Sequence, residues 1–324
     1  MTTRFGVPVP YEATAVRIGV DELPADVRAE IAAQIGGPIV SVRMAGGGFS
    51  GGFAAIVTAE TGRRMFVKAS GPDLPFVLNA YTAEAHISAL LPDEIPAPRL
   101  QFSSQVDEWV VLGFEAIDGK APRIPISPDE WTLMLRAWET AADALTPIPA
   151  SLRDYPLPNW ATEDLSGFQR FTATASGDIS PTIPERFATH VDELAALDSH
   201  INAAVTADAV MHGDLRPDNM VLRENDAVIC DWNWPCVGAP WFDTVALLVP
   251  AHAEGHDADG MFWKHSTSAG VDGEQLDTVL AAIAGYYLAG SQEPPPYRVS
   301  PHIRAHQRWS ALATLDWLAN RRGW

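Results

Sequence analysis

Only two cysteines, Cys230 and Cys236, occur in 324 residues. They are too few for a disulfide framework, and with no second pair they cannot complete a thiolate metal site. The expectation is two reduced thiols, with Cys230 buried as a small apolar residue. Basic residues are also scarce: 22 Lys and Arg stand against 41 Asp and Glu, a formal net charge of -19. No broad basic surface is then available to match nucleic-acid phosphates, which excludes that class of partner. Long apolar runs are missing as well. The longest, such as Thr244 to Ala251, are far too short to span a bilayer. Met1 to Pro8 lack the basic start and apolar core of a signal peptide, so the expected location is the cytoplasm, with no membrane partner. Internal repeats and low-complexity tracts are absent too.

What remains is a globular composition, 47% hydrophobic and 19% charged, long enough for one large domain or two lobes. The acidic excess keeps such a chain soluble, and it would also steer a cationic ligand.

In the amino-terminal third, Val27, Ile31 and Ile35 share one side of a helix over Pro24 to Ile35, and Gly36-Gly37-Pro38 stops it. Ile39 to Met44 alternates like a strand. Gly46, Gly48 and Gly51 then form G-x-G-x-x-G, which dinucleotide-binding folds also use. Those folds need a helix after the glycines. Here Phe53 to Ala59, the turn Glu60-Thr61-Gly62-Arg63 and Arg64 to Ala69 read as a hairpin. A glycine-rich hairpin tip lets backbone N–H groups approach an anion. From Phe76 to Leu91 a helix carries Glu84 in the middle of an apolar stripe with Val77, Ala80, Ile87 and Leu91. A buried carboxylate needs a partner. Lys68, at the end of the returning strand, is the natural one. Strands are expected at Arg99 to Ser103 and Glu108 to Phe114. The extended segment after them would hold a base through the carbonyl of Glu115 and the N–H of Ile117.

Further on, Pro128 to Leu145 is an amphipathic helix. Residues 146 to 184 are irregular, a lid or a surface connection carrying the aromatics Tyr155, Trp160, Phe168 and Phe171. A helix from Pro184 to about Ala204 is expected next. Then comes His212-Gly213-Asp214-Leu215-Arg216-Pro217-Asp218-Asn219, and after a short hairpin, Asp231-Trp232-Asn233-Trp234. An acid, an amide and a second acid at this spacing match kinase-type phosphoryl transfer. Asp214 would accept or orient the attacking hydroxyl, and Arg216 would offset charge on the phosphoryl group. Asn219 and Asp231 supply the hard oxygens magnesium prefers. His212 reads as structural, Asp218 as a turn residue, and Asp243 as a brace for the loop. Helices over Leu276 to Ala289 and Ile303 to Asn320, with Trp309, Trp317 and Trp324, read as scaffold.

These motifs resemble the aminoglycoside phosphotransferase and choline kinase group, the small-molecule branch of the protein-kinase-like fold. The likeness runs from about Ile39 to Leu248. It implies an α+β, two-lobed fold: a small antiparallel-sheet lobe with a helix over 1–115 that binds nucleotide, and a larger, mainly helical catalytic and acceptor lobe over 116–324. It further implies ATP as the usual donor, with GTP open, a magnesium cofactor, and a small-molecule hydroxyl as acceptor. Its catalytic Asp maps onto Asp214, its metal ligands onto Asn219 and Asp231, and its phosphate lysine and helix glutamate onto Lys68 and Glu84. Gly213 replaces the arginine of H-R-D, and no A-P-E follows Asp231, so a protein substrate is not expected.

An aminoglycoside or amino sugar would suit the acidic balance and Glu163, Asp164, Asp192 and Glu193, with a neutral metabolite as rival. Two other readings differ in class. One is a catalytically inactive kinase-fold nucleotide-binding or interaction module, which the joint presence of Lys68, Glu84, Asp214, Asn219 and Asp231 opposes. The other is a dinucleotide-dependent oxidoreductase, which the hairpin after the glycines opposes.

Overall fold

The chain folds around three sets of apolar side chains, two on a five-stranded sheet and the third inside a group of helices. The computed structural model describes Phe5 and residues 11–158, 165–173 and 182–324.

Helix α1 (Ala25–Ile35) buries Val27, Ile31 and Ile35, as their spacing predicts, and ends where Gly36 turns left-handed at φ 84°. Strands β1 (Ile39–Met44), β2 (Phe53–Ala59) and β3 (Arg64–Ser70) follow, then helix α2 (Pro75–Ser88) and strands β4 (Leu100–Val106) and β5 (Trp109–Glu115). The sheet runs β1-β2-β3-β5-β4, each neighbouring pair antiparallel. The pleat sends alternate side chains to opposite faces. Val111 joins Val67 and Phe53 in the core under α1, while Val110, Leu112 and Phe114 join Val77, Tyr81 and Ala85 of α2.

The remainder is mainly helical: α3 (Pro128–Ala144), α4 (Ala150–Arg153), α5 (Gly167–Ala173), α6 (Val191–Asp198) and α7 (Ile201–Ala204). Two short antiparallel pairs interrupt the helices. Strand β6 (Val210–Met211) pairs with β9 (Cys236–Val237), and β7 (Met220–Leu222) with β8 (Ala227–Ile229). Helices α8 (Trp241–Glu254), α9 (Ala258–Lys264), α10 (Gly273–Gln292) and α11 (Ile303–Arg322) complete the chain. Trp131, Trp138, Trp232 and Trp317 fill the centre of this part. Trp309 is buried too, and Trp324 stacks on His190 at 4.1 Å between ring centroids. Packing is therefore the role of all three carboxy-terminal tryptophans.

Three expectations need correction. The helix foreseen from Pro184 to about Ala204 is three pieces: a 3-10 turn Glu185–His190, then α6 and α7. The second break follows Asp198, whose buried carboxylate accepts from the Phe168 amide at 2.7 Å and so holds the amino end of α5. Within 146 to 184, α4 and α5 are regular; Trp160, Glu163 and Asp164 lie outside the described residues. Cys230 is half-buried rather than buried, while Cys236 is buried, and both are free thiols. No helix among the described residues is long and apolar enough to cross a membrane.

Helix α3 carries a reciprocal cap. Ser127 Oγ accepts from the Glu130 amide at 3.3 Å, and the Glu130 carboxylate accepts from the Ser127 amide at 3.0 Å. Ser127→Ala should lower unfolding stability by about 1 kcal/mol, read by urea titration. An unchanged midpoint would mean that the cap contributes nothing.

Candidate active site

Strand β3 and helix α2 bring the first pair together. Lys68 Nζ lies 2.7 Å from both carboxylate oxygens of Glu84, and the two residues are 5% and 2% exposed. Asp231, from the other half of the molecule, binds the same ammonium. The Tyr81 ring lies 5.3 Å from Nζ. Burial works against the charge on Lys68, but Asp231 and Glu84 more than offset it and hold the ammonium well above its usual range. Burial pushes Glu84 up, with Lys68 pulling the other way. Burial also opposes the charge on Asp231, yet Lys68 keeps that carboxyl below its ordinary value.

The glycine-rich loop between β1 and β2 has one-sided hydrogen bonding. Its carbonyls are engaged by segments far away in sequence. Gly46 O accepts from Ala15 N at 2.9 Å, Gly48 O from Thr14 Oγ1 at 3.0 Å, Phe49 O from Ser300 N at 2.9 Å and Gly51 O from Ile18 N at 3.2 Å. Arg17 serves Gly47 O at 2.8 Å and Gly52 O at 3.3 Å. None of the amide N–H groups from Gly46 to Gly51 donates to a partner among the described residues. The loop therefore offers donors only, which suits an anion.

In the loop after β6, His212 is fully buried and burial lowers it to about 4, so its ring is neutral. Nδ1 accepts from the Asp214 amide at 3.3 Å, which leaves Nε2 to donate to the Cys230 carbonyl at 2.9 Å. Its role is structural, as expected. Asp243, at the start of α8, braces the loop by accepting from the amides of His212 at 2.8 Å and Gly213 at 3.0 Å. Burial pushes Asp243 up to about 7, against the pull of those amides. Gly213 sits at φ 79°, and a Cβ there would collide with the Trp234 carbonyl oxygen. Any side chain at this position, arginine included, would be strained.

Asp214 pairs with Arg216 and accepts from Asn219 Nδ2 at 3.1 Å; that same nitrogen donates to the Asp214 carbonyl at 2.7 Å. Burial pushes Asp214 up to about 6, with Arg216 holding it down. The Asn219 amide oxygen has no hydrogen-bond partner among the described residues, nor has Oδ2 of Asp231. Asp231 stands at φ 63°, a left-handed position that turns its side chain out of the strand direction. Asp218 is more than a turn residue. Its carboxylate, 1% exposed, grips Arg216 at 2.9 Å to Nε and 3.2 Å to Nη2.

One cavity of about 270 Å³ gathers most of these groups. Gly46, Gly48, Lys68, Glu84, Asn219 and Asp231 line it, with Glu115 and Ile117 of the segment joining the halves. Gly51 does not line it, because it packs against Arg298. Asp214 and Arg216 stand one hydrogen bond beyond its wall, behind Asn219. Asp192 and Glu193 are exposed in the first turn of α6, and Glu193 pairs with Arg322 at 3.8 Å, so neither borders the cavity. No three His, Cys, Asp or Glu side chains among the described residues form a metal cluster. Asn219 and Asp231 nevertheless put two free hard oxygens on one wall. A cation there would take its other ligands from phosphate and water, which fits magnesium. Motif reading passed over Arg17, Thr14, Phe49 and Ser300, whose contacts span thirty residues or more and leave no local pattern.

The model of a phosphotransferase enzyme family matches residues 45–298. No curated protein matches at a significant level. Among solved structures, spectinomycin phosphotransferase in complex with ADP and spectinomycin aligns with a TM-score of 0.60 at 13% identity. The alignment covers 91% of this chain and 98% of that one. A choline/ethanolamine kinase family protein from Mesorhizobium loti aligns with a TM-score of 0.53 at 15% identity, covering 90% of this chain and 95% of that one. At such identities the likeness establishes the fold, the α+β two-lobed architecture that the motifs implied. The match also reaches past Leu248 and takes in α10, further than the motifs alone extend.

Gly213→Ala tests the loop. It should cost about 1 to 3 kcal/mol of stability, visible as a lowered urea midpoint. Wild-type stability would show that the loop can yield at Trp234.

Proposed function

The chain belongs to the phosphotransferase enzyme family, and from that premise we propose that it moves the γ-phosphoryl group of ATP to a hydroxyl of a small molecule, with magnesium. One observation carries the reading. The Lys68–Glu84 pair, with Asp231 on the same ammonium, lines a single cavity together with Asn219, and Asp214 stands one hydrogen bond behind.

In this reading residues 1–115 bind nucleotide and 116–324 carry catalysis and the acceptor. The main chain of Glu115 and Ile117 receives the base. The unclaimed amides of Gly46 to Gly48 and the Lys68 ammonium hold the phosphates. Asn219 and Asp231 hold magnesium, which when bound would offset the charge of the phosphate oxygens. Asp214 orients the acceptor hydroxyl and takes its proton. As the acceptor oxygen bonds to the γ-phosphorus, the bond to the bridging oxygen breaks and ADP leaves. Arg216, held by Asp218, can turn its charge from Asp214 towards the transferring group.

For the acceptor we favour a cationic amino sugar or aminoglycoside. The net charge of -19 supports it by steering such a ligand.

Transfer of labelled phosphate from ATP to a panel of aminoglycosides, amino sugars, choline-like amines and neutral sugars tests the proposal. A product only with amines supports the cationic acceptor, and a product only with neutral sugars removes it. No product and no ATP binding would remove the kinase reading itself. Asp214→Ala should lower turnover by about 10² to 10⁴ while ATP still binds. Asp231→Ala should abolish the magnesium-dependent part of nucleotide affinity, which a magnesium titration would read. Full turnover in the Asp214 variant would refute the role given to that carboxylate.

A further inference from the structure

The phosphate end of the cleft contains a cation that lies outside both the motifs and the family match. Arg17 sits between the 3-10 turns Tyr11–Ala13 and Val20–Glu22, ahead of α1 and of the matched residues 45–298. Its guanidinium reaches the same cavity as Gly46, Gly48, Lys68 and Asp231. Nη2 donates to Gly47 O at 2.8 Å, and Nη1 makes longer bonds to Gly52 O at 3.3 Å and Ser50 O at 3.5 Å. Its Nε is buried without a hydrogen-bond partner among the described residues. Among the described residues no carboxylate forms an ion pair with it.

A buried donor without a partner is unfavourable unless a ligand satisfies it. Lys68 differs, since Glu84 and Asp231 already neutralise it. Arg17 thus brings a positive charge with no direct ion-pair partner among the described residues, balanced only at longer range by Asp231, to the place where the loop amides are also unclaimed. Guanidinium matches phosphate oxygens in shape and charge.

We propose that Arg17 is a phosphate-binding residue, tying the glycine-rich loop by its carbonyls while giving its charge and unused donor capacity to the nucleotide's triphosphate. This rests on the nucleotide reading above. A pure strap would hold the loop and nothing else, so the two roles separate by ligand.

The test compares ATP, in the presence of magnesium, with adenosine, by calorimetric titration of the wild type, R17Q, R17K and R17A. Glutamine can still donate to the loop carbonyls but has no charge. R17Q should weaken ATP binding about tenfold or more while adenosine stays within about twofold. R17K, which restores charge, should recover most of the lost ATP affinity. If R17Q fails to fold by thermal melting, R17K against R17A gives the same comparison. ATP affinity unchanged in R17Q, or adenosine weakened as much as ATP, would leave Arg17 a strap only and overturn the proposal. Adenosine binding by the wild type without tighter ATP binding would remove the triphosphate reading, and the role of Arg17 with it.

Discussion

Everything in the cleft depends on one ammonium group held among carboxylates out of water. Lys68 is bound by Glu84 from its own half and by Asp231 from the other. Two charges taken from water are costly, and their attraction repays that only with close geometry. Both Glu84 oxygens lie 2.7 Å from Nζ, and the Tyr81 ring adds its face. Removing one partner of such a buried pair typically costs about 3 to 5 kcal/mol. The cluster therefore fixes α2 against β3 and draws the Asp231 loop towards the sheet. It also sets a competition: a cation bound by Asp231 and a phosphate bound by Lys68 would each take one partner from the Lys68–Asp231 contact.

The opposite wall is organised by backbone rather than by charge. Gly213 and Asp231 are both left-handed. Glycine adopts such a conformation freely, whereas at Asp231 it persists only because the surroundings over-determine it. Asp243 receives two consecutive amides, and the neutral His212 ring joins the Asp214 amide to the Cys230 carbonyl. These buried groups carry no chemistry of their own. They place Asp214, Asn219 and Asp231 on adjoining turns.

The parts legible in the sequence are those with a local signature. Glu84 could be paired with Lys68 because a carboxylate inside an apolar helical stripe demands a cation. The loop over His212 to Asn219 was legible because its spacing is itself the motif. Elements were legible where periodicity and stop signals agreed, as in α1 ending at Gly36. What stayed hidden depends on distant partners. The break before α7 follows the burial of Asp198 against α5, and no pattern within 184 to 204 announces it. Asp218 looked like a turn residue because its grip on Arg216 exists only once the loop has folded. Arg17 and Ser300 meet the glycine loop from opposite ends of the chain.

The most direct measurement is a crystal structure with magnesium and a non-hydrolysable ATP analogue. The account predicts the base against Glu115 and Ile117, phosphate oxygens at Lys68 and the loop amides, and the ion on Asn219 and Asp231. Phosphates bound away from Lys68, or an ion that leaves Asn219 and Asp231 untouched, would contradict it.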